Sequence, residues 1–240
     1  MILRIVLALL IALYPSTLWA AVAYDNSATN TITGTTNTIT VSMTASGTNR
    51  LVLCGVHYND VMAVSSVSYG GSAMTQSTAG QVQTGGFSVD VWYLIAPATG
   101  AQTVTATLAS TGAHKILSCI SFTGVDQTTP FGTCATYSGF DNPSTVTISV
   151  SASGMGAMFE TNGDATNATL YTVDGSSTKR FDLASANTDF AAIGSTTAST
   201  GSVTQTVSNP LPHYASMIGC PLNQSITVTP GVARRLIVVE

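Results

Sequence analysis

The residues of this chain that could do chemistry are few, and none of them falls into a recognisable catalytic motif. Three histidines lie scattered among strand-like segments: His57, His114 and His213. The sequence contains no G-x-S-x-G elbow, no H-E-x-x-H pair and no G-x-x-x-x-G-K-[ST] loop. Lone histidines in a β-protein are usually surface residues or hydrogen-bonded core residues, so we assign them no catalytic role.

The acidic residues do not suggest a reaction either. A glycosidase would need two carboxylates that flank a cleft. Six candidates are available, and their spacing does not pair them: Asp25, Asp60, Asp90, Glu160, Asp164 and Asp174. Glu160 ends the apolar segment MGAMFE, where we expect a solvated residue at a strand edge. The sequence therefore predicts a protein that is not an enzyme, with no catalytic, cofactor-binding or metal-binding residues and no cofactor.

Two kinds of binding site stay open. An oxygen-rich segment could supply ligands to calcium, although it lacks EF-hand spacing and such segments usually form turns: Asn162, Asp164, Asn167 and Asp174. Aromatic side chains could stack on a sugar, and the candidates are Tyr58, Tyr69, Trp92, Tyr93, Tyr137 and Tyr171. We expect at least one ring of the Trp92–Tyr93 pair to lie in the core.

Four cysteines allow three two-bridge pairings, and the sequence does not choose among them. A hairpin centred on Asp126 and Gln127 would bring Cys119 opposite Cys134, and Cys54 and Cys220 could then lie in neighbouring strands. Buried free thiols are the alternative. Export to an oxidising compartment favours at least one bridge.

Composition restricts the class of protein. The chain has 27 Ser, 38 Thr and 21 Gly, a net charge of −4 and 45% hydrophobic residues. Threonine favours strands, and this hydrophobicity argues against disorder. The sparse, slightly acidic charge offers no basic surface for the phosphates of nucleic acid or of an anionic membrane, so we expect no nucleic-acid partner.

Alternation of apolar and polar residues predicts about ten short strands separated by turns, with no helix longer than two turns. Ile39, Val41 and Met43 alternate with polar residues, whereas Leu51 to Val56 is continuously apolar and predicts a central strand covered on both faces. Val89, Val91, Val104 and Leu108 are expected core residues of a hairpin that turns at Pro97 to Gly100. Residues 162–201 look least regular and are expected to form long loops. The predicted fold is a single antiparallel β-sandwich, jelly-roll-like, over residues 21–223.

Several segments in a fixed order resemble a known module. They are NRLVLCGV, VSSVSYGGSAMT, VDVWYLIAPATGAQTVTATL, ISFTGVDQTTPFGT and YASMIGCPLN. Together they are similar to a β-sandwich module that recurs in bacterial extracellular proteins and phage structural proteins. The resemblance covers roughly residues 22–223 and implies a surface or virion module without established catalytic residues. Cys54, Cys119 and Cys220 stand where that module more often has aliphatic residues.

The two ends of the chain carry separate signals. Arg4, the apolar run Ile5 to Leu13, Pro15 and small residues at positions 20 and 21 predict a cleaved signal peptide over residues 1–20, and no second span follows it. Residues 224–240 form a C-terminal extension in which Leu236 to Val239 could add an edge strand to its own sheet or pair with a second copy. We therefore predict a secreted or cell-surface structural or adhesion module. A carbohydrate-binding module is the alternative and a glycan-degrading enzyme a weaker one.

Overall fold

The computed structural model describes residues 21–34, 36–59, 62–111, 114–163, 171–184, 190–208 and 212–225. The predicted signal peptide and the predicted strand Leu236 to Val239 lie outside these residues. No helix of the described part is long and apolar enough to cross a membrane.

The described residues form strands and turns, and the prediction of an all-β chain is confirmed for them. The strands are β1 (Ala23–Ile32), β2 (Thr38–Ala45), β3 (Leu51–Asn59), β4 (Val64–Tyr69), β5 (Ser72–Ala73), β6 (Thr75–Thr84), β7 (Phe87–Ile95), β8 (Gly100–Leu108), β9 (Lys115–Thr123), β10 (Ala135–Asp141), β11 (Ser144–Val150), β12 (Met155–Gly163), β13 (Thr172–Val173), β14 (Thr178–Ala184), β15 (Phe190–Thr197), β16 (Gly201–Ser208) and β17 (His213–Leu222). Residues 162–201 were expected to be loops, and that expectation is wrong where β14 and β15 lie.

The strands build four antiparallel sheets, so the predicted antiparallel sandwich is confirmed, with more sheets than the two of a simple sandwich. Sheet I has the order β2-β8-β4-β5, and sheet II has the order β1-β9-β3-β7-β6. Sheet III has the order β10-β17-β12-β15-β14, and sheet IV has the order β11-β16-β13.

The four sheets are stacked in the order I, II, III, IV, with an apolar core between each pair. Residues such as Val104 and Cys54 fill the core between sheets I and II. Leu53 and Phe159 belong to the core between sheets II and III, and Met158 belongs to the core between sheets III and IV. Central strands are consequently buried on both faces, which confirms the expectation for Leu51 to Val56.

The two halves of the chain have the same architecture. Sheets II and III have equivalent strand orders: β1, β9, β3, β7 and β6 of sheet II correspond in turn to β10, β17, β12, β15 and β14 of sheet III. Sheets I and IV are related in the same way, with β2, β8 and β4 corresponding to β11, β16 and β13. The sequences of β2 and β11 preserve this relation, because ITVSMTASG at 39–47 matches VTISVSASG at 146–154 at five of nine positions. The chain is therefore an internal duplication of one sandwich.

The duplicated sandwiches pack back to back around an approximate two-fold axis. Leu51 pairs with Phe122 in sheet II, as Met155 pairs with Leu222 in sheet III. By that register His57 and Thr161 are equivalent residues, and they contact each other across the two sheets. Equivalent residues meet in this way only at a two-fold axis.

The predicted β7–β8 hairpin is wrong. β7 pairs with β3 and β6, whereas β8 pairs with β2 and β4, so the turn from Pro97 to Gly100 carries the chain from sheet II to sheet I. The predicted core residues are confirmed as buried, but they line two cores. Val89 and Val91 face sheet III, and Val104 and Leu108 face sheet II.

All four cysteines are paired, but not locally. Cys54 bonds to Cys119 across the adjacent strands β3 and β9, at a sequence separation of 65. Cys134 bonds to Cys220 of β17, at a separation of 86. The suggested 119–134 bridge is wrong because Asp126 and Gln127 do not centre a hairpin: β9 ends in sheet II and β10 begins in sheet III.

Candidate functional site

A buried carboxylate network lies between sheets I and II, at one end of the first sandwich. Asp90 of β7 accepts hydrogen bonds from the Tyr58 hydroxyl at 2.6 Å and from the Gln76 amide at 2.5 Å. The Gln81 amide donates to the Tyr58 oxygen at 2.7 Å. Burial raises the pKa of Asp90, although the hydrogen bonds from Tyr58 and Gln76 act to lower it. Burial together with the charge of Asp90 raises the pKa of Tyr58. Both oxygens of Asp90 are thereby occupied, so this network locks β3, β6 and β7 together.

A second buried carboxylate network surrounds Glu160 between sheets III and IV, at a position that is not equivalent to that of Asp90. Glu160 is fully buried in β12, so the expected solvated edge position is wrong. Ser144 at the start of β11 donates to its Oε1 at 2.9 Å, and His213 Nε2 at the start of β17 lies 3.4 Å from the same atom. Burial raises the pKa of Glu160, and its contacts with His213 and Ser144 oppose that change. Oε2 has no hydrogen-bond partner among the described residues.

The chemistry open to this second network is that of a buried acid–base pair. The Ser144 hydroxyl donates its proton to a carboxylate, whereas a serine nucleophile would donate it to an imidazole. Asp90 and Glu160 also face different interiors, with the core of sheets II and III between them. They therefore do not flank one cleft as the two carboxylates of a glycosidase do.

His57 lies on the approximate two-fold axis between sheets II and III. Its Nδ1 is 2.8 Å from the Thr161 hydroxyl and its Nε2 is 2.8 Å from the Ser118 hydroxyl. Complete burial lowers the pKa of His57 to about 3, so the ring is neutral at physiological pH. This histidine joins the two sandwiches. His114, by contrast, is half-buried and directly precedes β9.

Two other candidate carboxylates cap turns. Asp25 accepts hydrogen bonds from Ser46 and Ser121, and Asp174 accepts them from the backbone of Ser176 and Thr206. Burial would raise the pKa of each aspartate, but these hydrogen bonds outweigh it and the pKa values are lowered. Asp60 lies outside the described residues.

Only two of the four oxygen-bearing residues considered for calcium lie in the described part. Asn162 is fully buried in β12, and Asp174 uses its carboxylate in the turn after β13. Asp164 and Asn167 lie outside the described residues. Within the described ranges no three His, Cys, Asp or Glu side chains are close enough to hold a metal ion.

The aromatic residues considered for sugar binding do not form an exposed platform. Tyr58, Tyr69 and Tyr171 are fully buried, and Trp92, Tyr93 and Tyr137 are half-buried. Burial and the hydrogen bond to Asp141 raise the pKa of Tyr137 to about 12.

One exposed aromatic residue was not among the candidates for sugar binding. Phe140 of β10 is 54% exposed, and its ring centroid lies 4.7 Å from that of Tyr214 on β17. The signal in the sequence is weak, because a single phenylalanine before the turn Asp141–Asn142–Pro143 looks like the end of an ordinary strand. Its exposure follows only from the position of β10 at the edge of sheet III.

Comparisons with protein-family models, with curated proteins and with solved structures found no match. The resemblance to the extracellular and phage β-sandwich module therefore stays a prediction from the sequence, and the function is inferred from the residues of this chain.

Proposed function

We propose that this protein is an exported, non-enzymatic structural or adhesion module of a cell surface, virion or filament. The observation that carries the proposal is a stack of four sheets with two similar outer faces. On sheet I the exposed positions of β2 are Thr38, Thr40, Ser42 and Thr44, and on sheet IV those of β11 are Thr145, Thr147 and Ser149. Such uncharged, hydroxyl-rich faces on opposite sides of one body suit repeated contacts with neighbours in an array.

The covalent bracing supports an extracellular location. Disulfides persist in oxidising compartments, and this chain pairs all four of its cysteines. Each sandwich contains one bridge. Cys54–Cys119 joins the central strands β3 and β9 of sheet II, and Cys134–Cys220 joins the residue before the edge strand β10 to β17 of sheet III. The stack is thereby cross-linked in both halves, as a module exposed to proteolysis and mechanical load requires.

The polar residues support a structural role in a second way. Asp90, Glu160 and His57 are at most 1% exposed and lie inside the stack, where they hydrogen-bond between strands and between sheets. A substrate would have to separate two packed sheets to reach any of them.

Immunogold electron microscopy of producing cells, and of the particles they release, tests the proposal. We expect label on the outer surface or on particles. Thr105→Lys and Thr204→Lys together place a charge at the centre of each outer face and should reduce incorporation severalfold, whereas Thr133→Lys, on an exposed residue between the two sandwiches, should not. Label found only in the cytoplasm, or equal incorporation of all variants, would contradict the proposal.

A carbohydrate-binding module is the second candidate, and the exposed Phe140 is the observation that favours it. Binding of a glycan at that residue would give an adhesion module its ligand.

A further inference from the structure

Three aromatic rings form a row at the seam between the two sandwiches. The ring of Phe140 lies tilted against that of Tyr214, with centroids 4.7 Å apart and planes at 58°. Tyr214 in turn stacks on Phe87, with centroids 6.1 Å apart. Phe87 belongs to β7 of the first sandwich, and the other two belong to β10 and β17 of the second. We call Phe87, Tyr214 and Phe140 the aromatic row. Binding sites are frequent at junctions of this kind between two packed units.

Both sandwiches hold the aromatic row in place. Tyr214 lies against the β6–β7 turn so closely that a Cβ at Gly85 would come within 2.4 Å of its ring. Phe87 covers Gly163, where a Cβ would come within 1.9 Å of its ring, and its carbonyl accepts a hydrogen bond from Ser216 at 2.9 Å. The ring of Phe140 thus rests on a support that is fixed before any ligand arrives, which lowers the cost of binding.

The fold itself does not require an aromatic residue at position 140. Ala28 and Ala135 occupy the same register position at the edges of sheets II and III. Five residues further along, the second sandwich has Phe140 within β10, whereas the first has Thr33, the exposed residue that directly follows β1. An exposed apolar ring on only one of two equivalent sites points to a use other than folding.

We propose that the aromatic row binds the apolar face of a pyranose sugar, with Phe140 as the stacking ring. The C–H groups of a pyranose carry partial positive charge and pack on the negative face of an aromatic ring. Thr136 and Ser138 are exposed and share the face of Phe140, because they precede it by four and two residues along the strand. Their hydroxyls can hydrogen-bond to the sugar.

Size and charge favour a sugar over a macromolecular partner. Phe140 is the one large apolar side chain that is exposed in the described residues, whereas a stable protein interface buries about 800 Å² on each partner. Stacking of nucleic-acid bases is accompanied by a basic groove, and this chain has a net charge of −4. The inference rests on the adhesive form of the proposed function and names its ligand class.

Titration calorimetry of the intact oxidised protein with cellopentaose, chitopentaose, mannopentaose and xylopentaose tests the site. We expect at least one of these oligosaccharides to bind, and Phe140→Ser to weaken that binding about tenfold or more. Phe140→Trp should retain it, and Thr33→Ser, at the equivalent position of the first sandwich, should leave it unchanged. Because more than half of Phe140 is exposed, its replacement should leave the protein folded, with a cooperative thermal transition.

The results of these experiments distinguish failure of the sugar site from failure of the proposed structural or adhesive function. Binding of none of the four sugars, or equal binding by Phe140→Ser and the parent protein, overturns the inference. Neither result bears on the immunogold experiment, whose failure would instead overturn the structural or adhesive function.

Discussion

His57 provides the sharpest test of the packing between the two sandwiches. In the unfolded chain its pKa is near 6.5, and in the folded protein burial lowers that pKa to about 3. Below pH 6.5 the unfolded chain takes up a proton that the folded chain excludes. The stability associated with the neutral ring is therefore complete above pH 6.5 and is lost as the pH falls toward 3.

The size of this loss follows from the difference between the two pKa values. At pH 4.5 the solution is two units below 6.5, and each unit corresponds to about 1.36 kcal/mol, so His57 should destabilise the fold by about 2.7 kcal/mol relative to pH 8. Replacement by glutamine removes the titration while keeping a polar group near the Thr161 and Ser118 hydroxyls. His57→Asn is a second variant with the same logic.

The assay is urea unfolding of the oxidised protein at several pH values between 8 and 4.5. The difference in unfolding free energy between the parent and His57→Gln should change by about 2.7 kcal/mol over this range. A constant difference between the parent and both His57 variants would show that His57 is solvated, and the packing of sheet II on sheet III would then be wrong.

Three further predictions concern the cores and the bridges. Each disulfide can be removed by a double substitution, Cys54→Ala with Cys119→Ala or Cys134→Ala with Cys220→Ala. Either change should lower the free energy of unfolding in denaturant by about 4–5 kcal/mol, because the closed loops span 65 and 86 residues. An unchanged unfolding midpoint would mean that the bridge does not form. Val91→Asp should bury an unpaired charge and abolish the β-sheet circular dichroism, whereas Thr105→Asp, on the outer face, should keep it; equal spectra would refute the strand register. Burial raises the pKa of Glu160, so the stability contributed by its protonated form is complete below the unfolded pKa of 4.5 and is lost as the pH rises through the folded pKa. Glu160→Gln should therefore be more stable than the parent at pH 8 and equally stable near pH 4. A variant that is less stable than the parent by the same amount at both pH values would contradict this.

Strands that carry a clear pattern could be predicted from the sequence. β2 alternates strictly between buried and exposed positions, and β3 is a continuous apolar run. β1 and β6 could not be predicted, because AYDNSATNTI and TQSTAGQVQT are polar edge strands whose order comes from hydrogen bonding to β9 and β7. The buried strands could therefore be predicted from the sequence, whereas the polar edge strands could not.

Turns could be located, but their partners could not. Gly70 and Gly71, a pair typical of a bend, form the tight turn between β4 and β5 with positive φ angles of 56° and 83°. The Pro97 to Gly100 turn also lies where expected, yet it connects two different sheets. Turn residues determine how the backbone bends, whereas the choice of sheet depends on packing between distant segments.

The buried networks depend even more on distant segments. Glu160 meets Ser144 and His213, which come from β11 and β17, and nothing in MGAMFETNGD predicts that its carboxylate is covered. The exposure of Phe140 has the same origin, since it follows from the edge position of β10. A single sequence contains these residues but not the sheet order that brings them together.

The duplication explains why the sheet order, the buried networks and the exposure of Phe140 could not be predicted from the sequence. The larger sheet of each sandwich has two apolar faces, so one sandwich alone would leave an apolar face open to water, and the second copy covers it. This arrangement gives central strands that are hydrophobic on both sides and allows polar residues such as His57 and Thr161 to meet at the axis. The repeated segments ITVSMTASG and VTISVSASG are a sign of this duplication in the sequence. Positions that differ between the copies, such as Thr33 and Phe140, are released from the common demands of the fold, and function should be sought among them.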